Sequence, residues 1–133
     1  MELSALIPGS QPLEVFLPGG IPTDIVLQVV GKESDRFHKA SFKWLQHMQA
    51  REGNMPLKEM ADIQTDLVAT LIVGWSGLTE NGQPLPYSHE KACELMGKSE
   101  LTFLREAVEV FATERANFFR VSEEAAGSAG AAA

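Results

Sequence analysis

The sequence predicts an α+β fold that is mainly α-helical, with an N-terminal β-hairpin followed by about four helices. Three observations predict this fold. Two apolar runs flank a glycine-containing turn near the N-terminus, which is typical of a hairpin. Apolar residues then recur at helical spacing along most of the chain. Clusters of glycine, proline and asparagine separate these periodic segments and mark the connections between them.

The predicted hairpin spans residues 13–30 and follows a flexible lead-in over residues 1–12. Its strands are separated by the turn sequence Pro18-Gly19-Gly20, and its second strand is rich in β-branched residues. A two-stranded hairpin is only marginally stable in water. We therefore expect it to pack on the helices of its own chain or on a neighbouring subunit.

Two longer helices are predicted next, over residues 34–52 and 56–74. Ser34 is the expected N-cap of the first helix, because its hydroxyl can accept a hydrogen bond from an amide of the first turn. The last turns of the second helix are apolar nearly all round, which is typical of a helix buried on most sides. Trp75 continues its apolar line, so we expect this side chain to end the helix inside the core.

A short helix over residues 88–96 and a final helix over 99–120 complete the predicted domain, which covers residues 13–121. Ser88 and Ser99 are the expected N-caps of these two helices. Residues 122–133 are rich in alanine and glycine, and we expect them to form a disordered tail.

The charge of the chain bears on its partners. Eighteen acidic and eleven basic side chains give a net charge of −7. A sequence-independent nucleic-acid binder needs a basic face, and an anionic membrane also attracts basic segments. We therefore expect neither partner.

The single cysteine excludes a disulfide framework and cysteine-rich zinc sites. With no targeting segment visible, we expect a cytosolic protein.

His89 and Cys93 are the strongest candidates for enzymatic chemistry, because they are spaced i, i+4 on the predicted short helix. A histidine can activate a cysteine thiolate, but no third group that would orient the histidine is evident. Asp62 and Asp66 are neighbours on the polar face of the second helix, with no histidine partner expected. We predict a protein that is not an enzyme, with no catalytic, cofactor-binding or metal-binding residue. A small cytosolic thiol enzyme stays open as an alternative.

The segment that follows the second helix carries a family resemblance. An apolar run ends at Trp75, the loop Asn81-Gly82-Gln83-Pro84 follows, and the pair Tyr87-Ser88 precedes a short helix. This order resembles the tail assembly chaperones of long-tailed, siphovirus-like bacteriophages. The resemblance covers residues 24–120. Each part also has a local explanation, since Asn81-Gly82 favours a tight turn and Tyr87-Ser88 suits a helix start.

The resemblance implies a non-enzymatic function in phage assembly. Such a chaperone binds the tape measure protein, keeps it soluble and helps to recruit tail tube subunits. It acts in the cytoplasm of the bacterial host and is not retained in the mature virion. A virion structural protein, such as a head–tail connector or a minor tail component, is the rival interpretation.

Contacts to a client or to a second copy are predicted at apolar residues that lie off the main helical stripes. Many weak contacts along one extended client add through avidity. The apolar strands of the hairpin could also pair edge to edge with a neighbour, so we expect a homo-oligomer. The alternative is that the same apolar residues cover the hairpin. These residues are Phe42, Phe103, Val110, Phe118 and Phe119.

Overall fold

A computed structural model describes residues 1–7, 9–51 and 54–119. After a short 3₁₀ turn, the chain forms a β-hairpin and continues with four helices and further short strands. The predicted α+β architecture, mainly helical with an N-terminal hairpin, is therefore confirmed. The elements in chain order are β1 Gln11–Leu17, β2 Ile21–Val29, α1 Asp35–Ala50, α2 Leu57–Thr70, β3 Ile72–Ser76, β4 Thr79–Glu80, β5 Gln83–Pro84, α3 His89–Met96 and α4 Thr102–Thr113.

The hairpin forms because two consecutive glycines allow the chain to reverse. Gly19 and Gly20 adopt φ angles of 93° and 81°, a region that glycine enters without a steric penalty. The strands then pair antiparallel, with Leu17 opposite Ile21. Strand pairing already begins at Gln11, and a 3₁₀ turn spans Leu3–Leu6. The predicted lead-in over residues 1–12 therefore contains regular structure, which is a correction.

The predicted second helix, over residues 56–74, is too long. Helix α2 ends at Thr70, and strand β3 follows after one turn residue. β3 pairs antiparallel with β2, placing Trp75 opposite Leu27, so the sheet has the order β1-β2-β3. The apolar run at 67–73 suits a buried helix and a buried strand equally well. The unpaired edge of β2 decides between them, because its backbone groups require hydrogen-bond partners.

The hydrophobic core lies between one face of this sheet and the helices α2, α3 and α4. Strand β2 contributes Leu27 and Val29, which are fully buried. Helix α4 places a stripe of buried residues against them at helical spacing. Side chains from α2, α3 and β3 close the cluster. The buried members from the helices and β3 include Val68, Ala69, Ile72, Ala92, Met96, Leu104, Val108 and Ala112.

The predicted final helix, over residues 99–120, is shorter and is flanked by 3₁₀ turns at Ser99–Leu101 and Arg115–Phe118. Ser99 does not cap it through its side chain, because the chain first makes the 3₁₀ turn. The helix ends when Glu114 adopts an extended conformation. In contrast, the predicted caps Ser34 and Ser88 are confirmed, since each hydroxyl accepts a hydrogen bond from a first-turn amide. The predicted tail, residues 122–133, lies outside the described residues.

Candidate functional site

The loop between β3 and α3 is fixed by two aromatic side chains that bond to backbone carbonyls. The Trp75 indole Nε1 donates to the carbonyl oxygen of Leu85 at 2.8 Å, and the Tyr87 hydroxyl donates to that of Ile72 at 2.7 Å. The two rings meet edge to face with centroids 5.0 Å apart. Trp75 therefore lies in a strand and holds a loop, whereas the sequence predicted that it would end a helix.

The remaining residues of the loop motif also have local structural roles. Asn81 and Gly82 both adopt positive φ, 53° and 77°, at the turn between β4 and β5. This is the backbone that a tight hairpin turn requires, so the predicted turn is confirmed. Pro84 lies in β5. Ser88 caps α3, with its hydroxyl accepting from the amide of Lys91 at 3.0 Å.

The residues predicted to contact a partner differ widely in exposure. Phe42 and Val110 are 61% and 71% exposed, so both are accessible. Phe103 is partly buried against the core, and Phe119 is also partly buried. Phe118 is a core residue, because the 3₁₀ turn after α4 brings its ring edge to face against that of Phe111. Its prediction as a partner contact is therefore wrong.

Helix α1 exposes several large apolar side chains. It has 16 residues, and none of them is buried. Leu45 and Met48 are exposed, as is Phe42 about one turn before Leu45. The C-terminal end of α1 lies beside the start of α2, where Leu57 and Met60 are exposed as well. The α1–α2 pair thus presents several large apolar side chains to solvent.

A cluster of titratable side chains lies where α2 meets α3. His89 Nε2 is 2.7 Å from Oδ1 of Asp66 and 3.4 Å from Sγ of Cys93. The sulfur is 3.6 Å from the same carboxylate oxygen. From α1, the Trp44 indole Nε1 donates to the other oxygen, Oδ2, at 2.7 Å. Side chains from three helices therefore meet at Asp66. This residue lines two surface grooves, one beside α3 and one beside α1.

The environment shifts two of these groups in opposite directions. Burial disfavours ionisation of Asp66, but the hydrogen bonds from His89 and Trp44 outweigh it and lower the pKa of the carboxyl. Burial, reinforced by the negative charge of Asp66, raises the pKa of the Cys93 thiol to about 11. The thiol is therefore protonated at neutral pH, whereas nucleophilic attack requires the thiolate.

The geometry also differs from that of a catalytic triad. In a triad, the carboxylate binds one ring nitrogen of the histidine while the nucleophile meets the other. Here Asp66 and Cys93 both approach Nε2 of His89. Nδ1 of His89 is buried and has no hydrogen-bond partner among the described residues. The histidine cannot take a proton from the thiol through one nitrogen while the carboxylate holds the other.

The sequence predicted the contact between two of the three members of this cluster. The predicted proximity of His89 and Cys93 is confirmed, because i, i+4 spacing brings side chains together on a helix. The expectation that Asp66 lacks a histidine partner is wrong. Asp66 and His89 are separated by 23 positions and lie on different helices. No local spacing predicts how α2 and α3 cross, so the sequence held no signal for the third member.

Comparison with known protein families matches residues 32–128 to the YdaY prophage protein family. The match covers more than half of the chain. The chain belongs to the YdaY prophage protein family. This prophage protein is therefore of phage origin, which agrees with the broader part of the sequence prediction. No curated protein and no solved structure matches the chain significantly.

The family match includes the two candidate sites of this prophage protein. It begins at Lys32, after the hairpin, and so spans α1, the Asp66 cluster and the loop held by Trp75. Among the described helices, none has the length and apolar character needed to cross a bilayer.

Proposed function

We propose that this prophage protein is a tail assembly chaperone that acts without enzymatic chemistry. It binds the tape measure protein, keeps it soluble and helps to recruit tail tube subunits. It works in the cytoplasm of the bacterial host and does not remain in the mature virion. The family membership supports a phage function, and the resemblance of the loop from Trp75 to Ser88 supports this particular one.

The observation that carries the proposal is the unburied helix α1. None of the 16 residues of α1 is buried in the isolated chain, and Phe37 packs against the core only in part. Its exposed Phe42, Leu45 and Met48 follow one another at intervals of three residues and give α1 an accessible apolar surface. Amphipathic helices of a client can bind such surfaces through anchors at helical spacing. Several copies along one extended client then give avidity.

The chemistry of the Asp66 cluster supports a function without catalysis. The thiol of Cys93 is protonated at neutral pH, because its pKa is raised to about 11. Both neighbours of His89 approach the same ring nitrogen. These two features weigh against the alternative of a small thiol enzyme, since such an enzyme needs an available thiolate and an oriented base.

The hairpin supports self-association as part of the same function. Strand β1 pairs with β2 on one side and lies at an edge of the three-stranded sheet. An edge strand offers unpaired backbone groups to a neighbouring chain. Near the hairpin turn, Phe16, Leu17 and Ile21 are 50%, 42% and 56% exposed. We propose a homo-oligomer that displays several α1 helices along one client.

Coexpression with the tape measure protein of the same prophage tests this proposal. Phe42→Ser and Val110→Ser each remove an exposed apolar side chain, so the variants should fold but hold less of the client in the soluble fraction. Gln46→Ser is the matched control, because Gln46 is also exposed on α1 but is polar. An unchanged yield of soluble client with both folded variants would contradict the assignment of Phe42 and Val110 as client contacts.

Mass spectrometry of purified phage particles separates the proposal from its rival. A virion structural protein, such as a connector or minor tail component, would be found in the particles in a fixed ratio to the tail proteins. The proposed chaperone would be present in infected cells and absent from the particles. A stoichiometric amount in mature particles would therefore exclude the chaperone function.

A further inference from the structure

We propose that Asp66, His89 and Cys93 form a binding site for a zinc-like divalent transition metal, with a fourth position open to solvent. The proposal is independent of the chaperone function. One oxygen, one nitrogen and one sulfur atom from these residues all lie within 4.8 Å of one another. Carboxylate, imidazole and thiolate are the three side-chain ligands that Zn²⁺ prefers.

The distances between the ligand atoms agree with a tetrahedral site. Bonds of about 2.0–2.3 Å to a tetrahedral zinc ion place neighbouring ligand atoms about 3.3–3.6 Å apart. The sulfur of Cys93 is already 3.4 Å from His89 Nε2 and 3.6 Å from Asp66 Oδ1. Only the 2.7 Å hydrogen bond between His89 and Asp66 must lengthen. A rotation of either side chain would lengthen it, and both side chains are partly exposed.

One of the three ligands, Asp66, has the outer-shell hydrogen bond that is typical of a metal centre. The Trp44 indole donates to Oδ2 of Asp66, which leaves Oδ1 directed at His89 and Cys93. Outer-shell hydrogen bonds of this kind orient ligating carboxylates. A deprotonated Cys93 and the Asp66 carboxylate would together balance the charge of one divalent cation. The metal binds as the thiol proton is released to solvent.

The position of the cluster gives the metal access and a structural role. Asp66 lines a groove between α2 and α3 and a second groove beside α1, so the fourth coordination position faces solvent. Ligands from α2 and α3, with the Trp44 bond from α1, would couple three helices. Binding would therefore restrain the same helix that exposes the proposed client surface.

A titration of the metal-free full-length protein with Co²⁺ tests the site. Because Cys93 is the single cysteine, a sulfur-to-cobalt charge-transfer band can arise from one place in the chain. We expect this band and the intense visible bands of tetrahedral Co²⁺ to saturate at one ion per chain. One equivalent of Zn²⁺ should abolish both. A titration without the charge-transfer band would overturn the proposal.

Variants assign the ligands, with far-UV circular dichroism confirming that each is folded. Cys93→Ser should lose the charge-transfer band, and Trp44→Phe should weaken binding about 10-fold through the loss of an outer-shell hydrogen bond. His47→Gln is the matched control, because His47 also pairs with a carboxylate, Glu59, at 2.8 Å but belongs to no group of three possible metal ligands among the described residues. Unchanged Co²⁺ binding in Cys93→Ser would show that the ion is held elsewhere.

The unmodified protein offers a second measurement that needs no variant. Alkylation of Cys93 should slow several-fold when one equivalent of Zn²⁺ is added, because the bound thiolate is shielded. The same concentration of Mg²⁺ should have no effect, since Mg²⁺ prefers oxygen ligands. Equal alkylation rates with and without Zn²⁺ would overturn the proposal even if Cys93→Ser fails to fold.

Discussion

Helices α1 and α4 are both amphipathic, yet the fold uses them in opposite ways. Helix α4 is the shorter of the two, with 12 residues, and buries Leu104, Val108 and Ala112 against the sheet. Helix α1 has 16 residues and buries none. It rests chiefly on α2, through the Trp44 bond to Asp66 and the contacts of His47 and Arg51 with Glu59 near its end. Amphipathic spacing therefore defines the apolar face of a helix but does not determine what covers that face.

The largest difference in the free energy of unfolding is expected between two alanine variants, one at a leucine of each helix. Leu104→Ala should lower the free energy of unfolding by about 2–5 kcal/mol, because it leaves a cavity in the core. Leu45→Ala removes a side chain that is 51% exposed, so the expected loss is below about 1 kcal/mol. Urea denaturation of both variants measures the difference. Equal losses would show that α1 is covered in solution, for example by a second copy of the chain.

A smaller effect is expected for one of the bonds that join α1 to α2, the bond from Trp44 to Asp66. Trp44→Phe keeps an aromatic side chain but removes the donor to Asp66, so we expect the free energy of unfolding to fall by about 1 kcal/mol. The loss should be modest because Asp66 remains partly exposed. Hydrogen exchange should accelerate in α1 more than in α4, since local opening follows the weaker attachment. Gln46→Ala is the control, and uniform acceleration in both helices would mean that they open as one unit.

The smallest expected effect concerns the ion pair that joins the start of α1 to the end of α4. Arg115 binds Glu33 through two hydrogen bonds, of 2.6 and 3.0 Å. These bonds, with the charge of Arg115, outweigh desolvation and lower the pKa of Glu33. A lowered carboxyl pKa stabilises the folded state above the ordinary glutamate range, and this stabilisation is lost as the pH falls through the lowered pKa.

Arg115→Gln should return the pKa of Glu33 toward its ordinary value, as measured by an NMR titration of the side chain. The unfolding free energy should not change measurably, because both side chains are mostly exposed and the pair is screened by solvent. A clear fall in stability near neutral pH would indicate that the two helix ends are held together more firmly than their exposure suggests.

Local chemistry made much of the fold predictable. The hairpin follows from its glycine turn, and the caps Ser34 and Ser88 follow from their hydroxyls. The end of α2 was not predictable in the same way. The residues after Thr70 suit a helix or a strand, and the choice depends on β2, which lies more than 40 positions earlier in the chain.

In the candidate sites too, contacts within one helix were predictable from the sequence, whereas contacts between distant segments were not. The contact of His89 with Cys93 follows from one helical turn, whereas Asp66 joins them only through the crossing of two helices. The predicted final helix continued past Phe118. In the structure the extended residue Glu114 ends α4 earlier, and the following 3₁₀ turn directs the Phe118 ring into the core. Periodicity describes a helix but does not predict where the chain leaves it.

The sheet joins strands that leave the ribosome at different times. Strand β2 can pair with β1 at once, but its second partner, β3, is synthesised more than 40 residues later. At about 5–20 residues per second, β2 would wait some seconds with an unpaired edge and the apolar Leu27 and Val29 uncovered. Nascent chains on neighbouring ribosomes would be exposed to one another through that edge during this interval. Slower translation between the codons of β2 and β3 should therefore lower the soluble yield of the protein.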